Sequence, residues 1–168
     1  MRRFPLAAAV LLLAGSALAT VYARLDLAQQ AQKADIIVHA LITSVAAEDR
    51  GGRPWTVYRL QPQRFLKGEA AQLPQSGGSP SFAVLGGRGL TMEGAPTFRE
   101  RDEVVLFLYA RNYDSPVVGF RQGAYRVGQS RAVTDLEGKP VTEQQGGRPV
   151  ELALDVFLNR VTALVGQR

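Results

Sequence analysis

Apolar side chains dominate residues 34–45 (Ala-Asp-Ile-Ile-Val-His-Ala-Leu-Ile-Thr-Ser-Val), the longest β-branched, aliphatic run outside the N-terminal segment. Alternation splits it into two faces. Ile36, Val38, Ala40 and Ile42 form an apolar face that should point inward. Ile37, His39, Leu41, Thr43 and Val45 form a mixed face, too apolar for plain solvent surface, so part of it should be covered. A buried helix shares such hydrophobic density. The β-branched content favours a strand.

The rest of the pattern supplies partners for that strand. Residues 25–34 are good helix formers with Asp26 at the start, which predicts a short helix leading into it. The strand should fade over 46–49, before a turn at 50–54. Residues 55–66 predict a second strand. Pro62 interrupts it and belongs at an edge or a bulge, because it donates no ladder hydrogen bond. Residues 69–80 read as loop and 81–85 as a short strand. Residues 103–110, almost wholly apolar, read as a central strand. Strand pieces follow at 117–120 and 124–127, separated by a glycine-flanked segment that suggests a bulge or a close backbone approach. Residues 131–134 suggest a last strand. Gly146-Gly147-Arg148-Pro149 should separate the body from a helix over 150–165. In that helix Leu154, Phe157, Val161, Leu164 and Val165 follow helical spacing, with Pro149 near its start and Gly166 at its end. The expected architecture is mainly β: a small, closed or partly open barrel at 20–149, with a short N-terminal helix and a C-terminal amphipathic helix at 150–168 packed on it.

The N-terminus changes the setting. Met1-Arg2-Arg3 precedes an apolar stretch and Ala17-Leu18-Ala19, the layout of a secretory signal peptide at 1–19. Cleavage after Ala19 would make Thr20 the first mature residue; an uncleaved anchor is the alternative. Ser16 stands where a lipidated cysteine would be needed, so lipidation there is excluded. Export by the general route, to periplasm or exterior, is expected. The 168 residues contain no cysteine. That excludes disulfides, thiol nucleophiles and Cys-ligated metal. The net charge is +5; without Arg2 and Arg3 it is 18 basic against 15 acidic residues, or +3. So mild and dispersed an excess does not suggest nucleic-acid binding.

Specific residues resemble a known family. Residues 34–40, followed by Tyr58-Arg59-Leu60 and Phe65-Leu66-Lys67-Gly68, resemble the first half of netrin-like domains. The comparison is nearest to the N-terminal domain of tissue inhibitors of metalloproteinases. The stretches 102–108 and 119–125 resemble bacterial exported proteins of that type. The resemblance spans 26–127 and implies an OB-type barrel. In the animal inhibitors a first-residue cysteine chelates the protease zinc through its amine and carbonyl. Here Thr20 would take that place without a disulfide to hold it.

The chemical inventory is thin. His39 is the sole histidine, and no carboxylate lies at a local ligand spacing from it. Gly86-Gly87-Arg88-Gly89 lacks the Gly-Lys-Ser/Thr ending of a phosphate loop. Glu100, Asp102 and Glu103 belong to a charged turn. No catalytic, metal or cofactor site is expected. Trp55, Phe98 and Tyr113, at predicted loop margins, are the candidates for an exposed recognition surface, with Thr20 beside them. The leading expectation is an exported, non-enzymatic binding module whose partner is an exported protein, either a protease or an envelope component. The alternatives are inhibition of an exported metalloprotease through Thr20, and a hydrolase using His39 or the carboxylates near Asp102.

Overall fold

The computed structural model describes residues 23–87, 90, 92–111 and 113–166. The expected signal peptide at 1–19 and Thr20 lie outside them.

Helix α1 spans Leu27–Lys33. Asp26 caps it, accepting from Gln29 N at 2.7 Å, and the Gln29 side chain accepts from Asp26 N at 2.9 Å. Strands β1 (Ile36–Arg50) and β2 (Arg53–Lys67) form one long antiparallel hairpin. Its turn is Gly51-Gly52, with φ of 64° and 76°, the left-handed pair that two-residue hairpins require. Strand β1 therefore continues through 46–50, where the sequence predicts that it fades. The glycine turn carries pairing through polar residues that have no strand preference of their own.

The hairpin register slips three times, leaving Thr43 of β1 and Gln63 and Leu66 of β2 as extra residues. Each slip coils the ribbon further. Pro62 sits beside one of them, as its chemistry predicts. At the end of β2, the Lys67 ammonium donates to the carbonyls of Ala31 (2.9 Å), Gln32 (3.3 Å) and Ala34. It thus satisfies the C-terminal carbonyls of α1. Gly68 follows at φ 70°, where a Cβ would stand 2.9 Å from the Asp35 carbonyl.

A 3-10 turn (Ala70–Gln72) and β3 (Gln75–Ser76) lead into β4 (Ser79–Leu85). Then come β5 (Glu103–Leu108), β6 (Ala124–Val127) and β7 (Val133–Thr134). All seven form one antiparallel sheet in the order β3-β4-β2-β1-β5-β6-β7, which does not close on itself. The fold is mainly β. Residues 117–120 are turn rather than strand, joined to the sheet by a single bridge between Leu108 and Val117. Gly123 does mark a close approach: a Cβ there would lie 2.9 Å from Phe107 Cβ.

Residues 142–151 depart from expectation. Gly146-Gly147 is a hairpin turn between β8 (Thr142–Gln145) and β9 (Arg148–Glu151), all of whose residues are exposed. Pro149 and Val150 belong to β9, so helix α2 begins only at Leu154 and runs to Val165. No helix among the described residues is long and apolar enough to cross a membrane.

Both sheet faces are buried. Ile36, Val38, Ala40 and Ile42 of β1 join Val104, Leu106 and Leu108 of β5 in one cluster. Ile37, Val105 and Phe107 turn the other way, under Ala31 and Ala34 at α1 and Leu154, Phe157 and Val161 of α2. In that second layer the Tyr125 hydroxyl donates to buried Gln30 at 2.8 Å. Burial pushes the Tyr125 phenol up to about 12, against the lowering effect of this bond.

Phe98 is not a surface residue. It is 5% exposed and packs edge-on against Tyr58 and Phe82, with centroids 5.1 and 5.7 Å away. Its neighbour Thr97 accepts from Arg126 of β6 at 2.6 Å. The connection carrying Phe98 thus bridges β2 and β4 on one side and β6 on the other, over the gap the open sheet leaves. A loop position told nothing of this, because the loop is itself the cover of the core. Phe98→Ala should lower unfolding free energy by about 3–5 kcal/mol in urea denaturation. A loss below about 1 kcal/mol would mean that this ring does not seal the core.

Candidate binding groove

The outer side of the sheet carries a cavity of about 240 Å³. Its first wall is the β1–β2 turn, with Arg50, Arg53 and Trp55. Its floor is β4 at Ser81, Phe82 and Ala83. Its second wall is the segment after β5, with Tyr109, Arg111 and Tyr113. Strand β2 positions Trp55 opposite Leu85 of β4, with the Arg53 guanidinium 5.9 Å from the indole centroid. Tyr113 is 46% exposed and meets Tyr109 edge-on at 5.2 Å. The second wall is held by its backbone: Tyr109 N donates to Pro116 O at 2.8 Å and Ala110 N to the Asp35 carboxylate at 2.9 Å. Burial raises the Tyr109 phenol, reinforced by Tyr113 and Asp35, so it remains a neutral donor at physiological pH.

Three arginines and no carboxylate line the groove among the described residues. Two are engaged at the rim, Arg50 with Glu48 at 2.9 Å and Arg53 with Asp114 at 3.3 Å. These pairs are exposed and therefore weak.

The groove brings together two of the expected recognition residues, Trp55 and Tyr113. Phe98 is excluded by its burial, and Thr20 is outside the described residues. Tyr109, Arg50, Arg53 and Arg111 went unnoticed in the sequence. One signal was available: Tyr109, Arg111 and Tyr113 alternate, which in extended chain sets them on one side.

No protein-family model matches this chain, and no curated protein does. The groove is accompanied by a second cluster of polar side chains.

That other cluster is on the helix-covered face. His39 Nε2 lies 2.7 Å from Glu103 Oε1, and Arg131 Nη1 donates to both Glu103 oxygens at 2.8 Å. The antiparallel register, His39 with Val105 and Leu41 with Glu103, makes the two side chains diagonal neighbours. Arg131 O in turn accepts from Leu154 N at 2.8 Å, at the start of α2. Burial alone would raise the Glu103 carboxyl. The hydrogen bonds from His39 and Arg131, with their charges, outweigh it and hold the group below 4.5. A carboxylate so saturated is a poor proton acceptor, and the arrangement clamps the β7 approach and α2 to the sheet. Asp102 is similarly engaged, by Arg99 N at 2.9 Å and Arg126 Nε at 3.4 Å. No group of three or more His, Asp or Glu suited to a metal occurs among the described residues.

A depressed folded-state pKa stabilises the fold above the unfolded value and loses that contribution as pH falls through the folded one. Glu103→Gln should therefore cost stability near pH 7, by about 1 kcal/mol or more. The gap to wild type should narrow as pH drops below 4.5. Urea titrations at both pH values check this; a gap that stays constant would mean the carboxylate charge is not what the cluster uses.

Proposed function

We propose that this protein is an exported, non-enzymatic binding module with an OB-like core, and that it holds its partner in the groove between the β1–β2 turn and residues 109–116. The observation that carries the reading is the convergence of Trp55, Tyr109 and Tyr113 with three arginines on one concave surface. Aromatic rings supply contact area with few rotors to freeze, and arginine adds directional donors; together they are the side chains that dominate binding energetics. The His39–Glu103–Arg131 cluster is occupied with its own contacts, which leaves the groove as the better-supported place for recognition. The partner class is an exported protein, a protease or an envelope component.

The OB-like part of the reading draws on strand order and coiling. The sequence β4-β2-β1-β5-β6 is that of a five-stranded Greek-key barrel opened between its third and fifth strands. Side chains from all five strands, with Phe98, share one interior cluster. The three register slips in β1–β2 supply the curvature that such a barrel needs.

A photo-cross-linking residue at Tyr113, in protein made by its own cells, should give one reproducible adduct. The same residue at exposed Val156 of α2 should not, and Trp55→Ala should reduce the Tyr113 adduct about tenfold. Equal adducts at both positions, or a yield indifferent to Trp55, would refute the groove as the recognition site.

A further inference from the structure

Strand β4 is a sheet edge over most of its length. Its inner side pairs with β2 from Ser81 to Leu85. On its outer side β3 reaches only Ser79 and Pro80. Ser81 N donates outward to Pro74 O at 2.8 Å, and Leu85 N outward to Asp114 O at 2.6 Å. Backbone groups of an antiparallel strand turn toward one neighbour at alternate residues. Ala83, midway between these two, must therefore also direct its N–H and C=O away from β2. Neither has a backbone partner among the described residues. Ala83 is only half-buried, and it lies on the floor of the groove.

An accessible, unpaired donor and acceptor on a strand edge is what an extended peptide uses when it adds a strand. The positions on either side, Ser81 and Leu85, are already satisfied by Pro74 and Asp114 and limit the added strand to a few residues. Side-chain recognition then falls to the walls. Trp55 and Tyr113 offer apolar faces. Arg111 has no ion pair among the described residues, and the rim pairs of Arg50 and Arg53 are exposed enough to exchange for a ligand carboxylate at little cost.

Resting on the groove reading above, we infer that the partner is an acidic, extended peptide segment that adds a short strand to the outer edge of β4 through the backbone of Ala83. An anionic glycan would satisfy the arginines but lacks the paired N–H and C=O that Ala83 demands. A second copy of this chain would have to bring its own walled edge into the same narrow space.

The test is selection of displayed random segments of about nine residues on the full-length protein, followed by synthesis of the enriched peptides. Enriched sequences should be acidic. Methylating alternate backbone nitrogens along one edge of a peptide should weaken binding about tenfold or more, while methylating the other edge should not. Ala83→Pro removes an outward-facing N–H and fixes φ, changes that an edge strand tolerates, and should weaken binding similarly. If that variant loses its urea transition, the methylated peptides decide alone. Peptides indifferent to both backbone changes but lost with Trp55→Ala or Tyr113→Ala would overturn strand addition and leave the groove standing. Indifference to all of these changes would overturn both readings. Failure to enrich acidic sequences would overturn the inferred peptide class. Concentration-dependent dimerisation in sedimentation, abolished by Ala83→Pro, would overturn the peptide occupant in favour of self-pairing.

Discussion

Strand β1 has a strand on each edge and an apolar layer on each face, and almost every other element is placed by what this requires. Ile36, Val38, Ala40 and Ile42 need one cover; Ile37 and the adjoining Val105 and Phe107 of β5 need another. The first is supplied by the sheet curling over itself, with the connection bearing Phe98 across the gap. The second is supplied by two helices from opposite ends of the chain. A strand buried on both sides gains roughly twice the apolar burial of a half-exposed one. That permits a core of this size without a single disulfide.

The coupling of these layers runs through a few polar contacts at their seams. Lys67 joins the end of β2 to the carbonyls closing α1. Gln30 of α1 meets Tyr125 of β6. The Glu103 clamp joins β1 and β5 to the turn before β7, whose Arg131 carbonyl holds the start of α2. Each is a buried or half-buried group with its partners supplied, which costs little and fixes relative position. The groove is held more lightly, its floor tied to its second wall by the Leu85 N to Asp114 O bond. Its floor is a strand edge, its walls are a glycine turn and an irregular segment, and the pairs that hold Arg50 and Arg53 are exposed.

What the sequence made legible follows from this difference. The two-faced pattern announced both layers from Ile36 to Ile42, but not Val45: the slip at Thr43 inverts the alternation, so Val45 packs with Ile36 and Val38 rather than on the face of Ile37 where the pattern placed it. Asp26, Pro62 and Gly123 each carried one local chemistry and each was found where that chemistry requires. Phe98 misled because a loop's polarity describes its flanks and not the one ring it turns inward. The β8–β9 hairpin was overlooked because its strands are polar on both faces and have no hydrophobic period. Only the Gly-Gly pair, used also at 51–52 and 77–78, marked it. The groove was half legible: Trp55 and Tyr113 stood out as aromatics in polar surroundings. The edge at Ala83 had no sequence signature, being defined by which neighbours are absent.

That β8–β9 hairpin bears on how the chain can change length. Its base is fastened where Val141 N meets Val133 O at 2.9 Å and Leu152 N meets Val141 O at 2.8 Å. Beyond the base none of its eight strand residues enters a core cluster. Lengthening a closed loop costs only about 0.6 kcal/mol per doubling, so the tip can accept added residues while both hydrophobic layers keep their packing. The fold carries, outside both hydrophobic layers, a hairpin where most positions are free to drift.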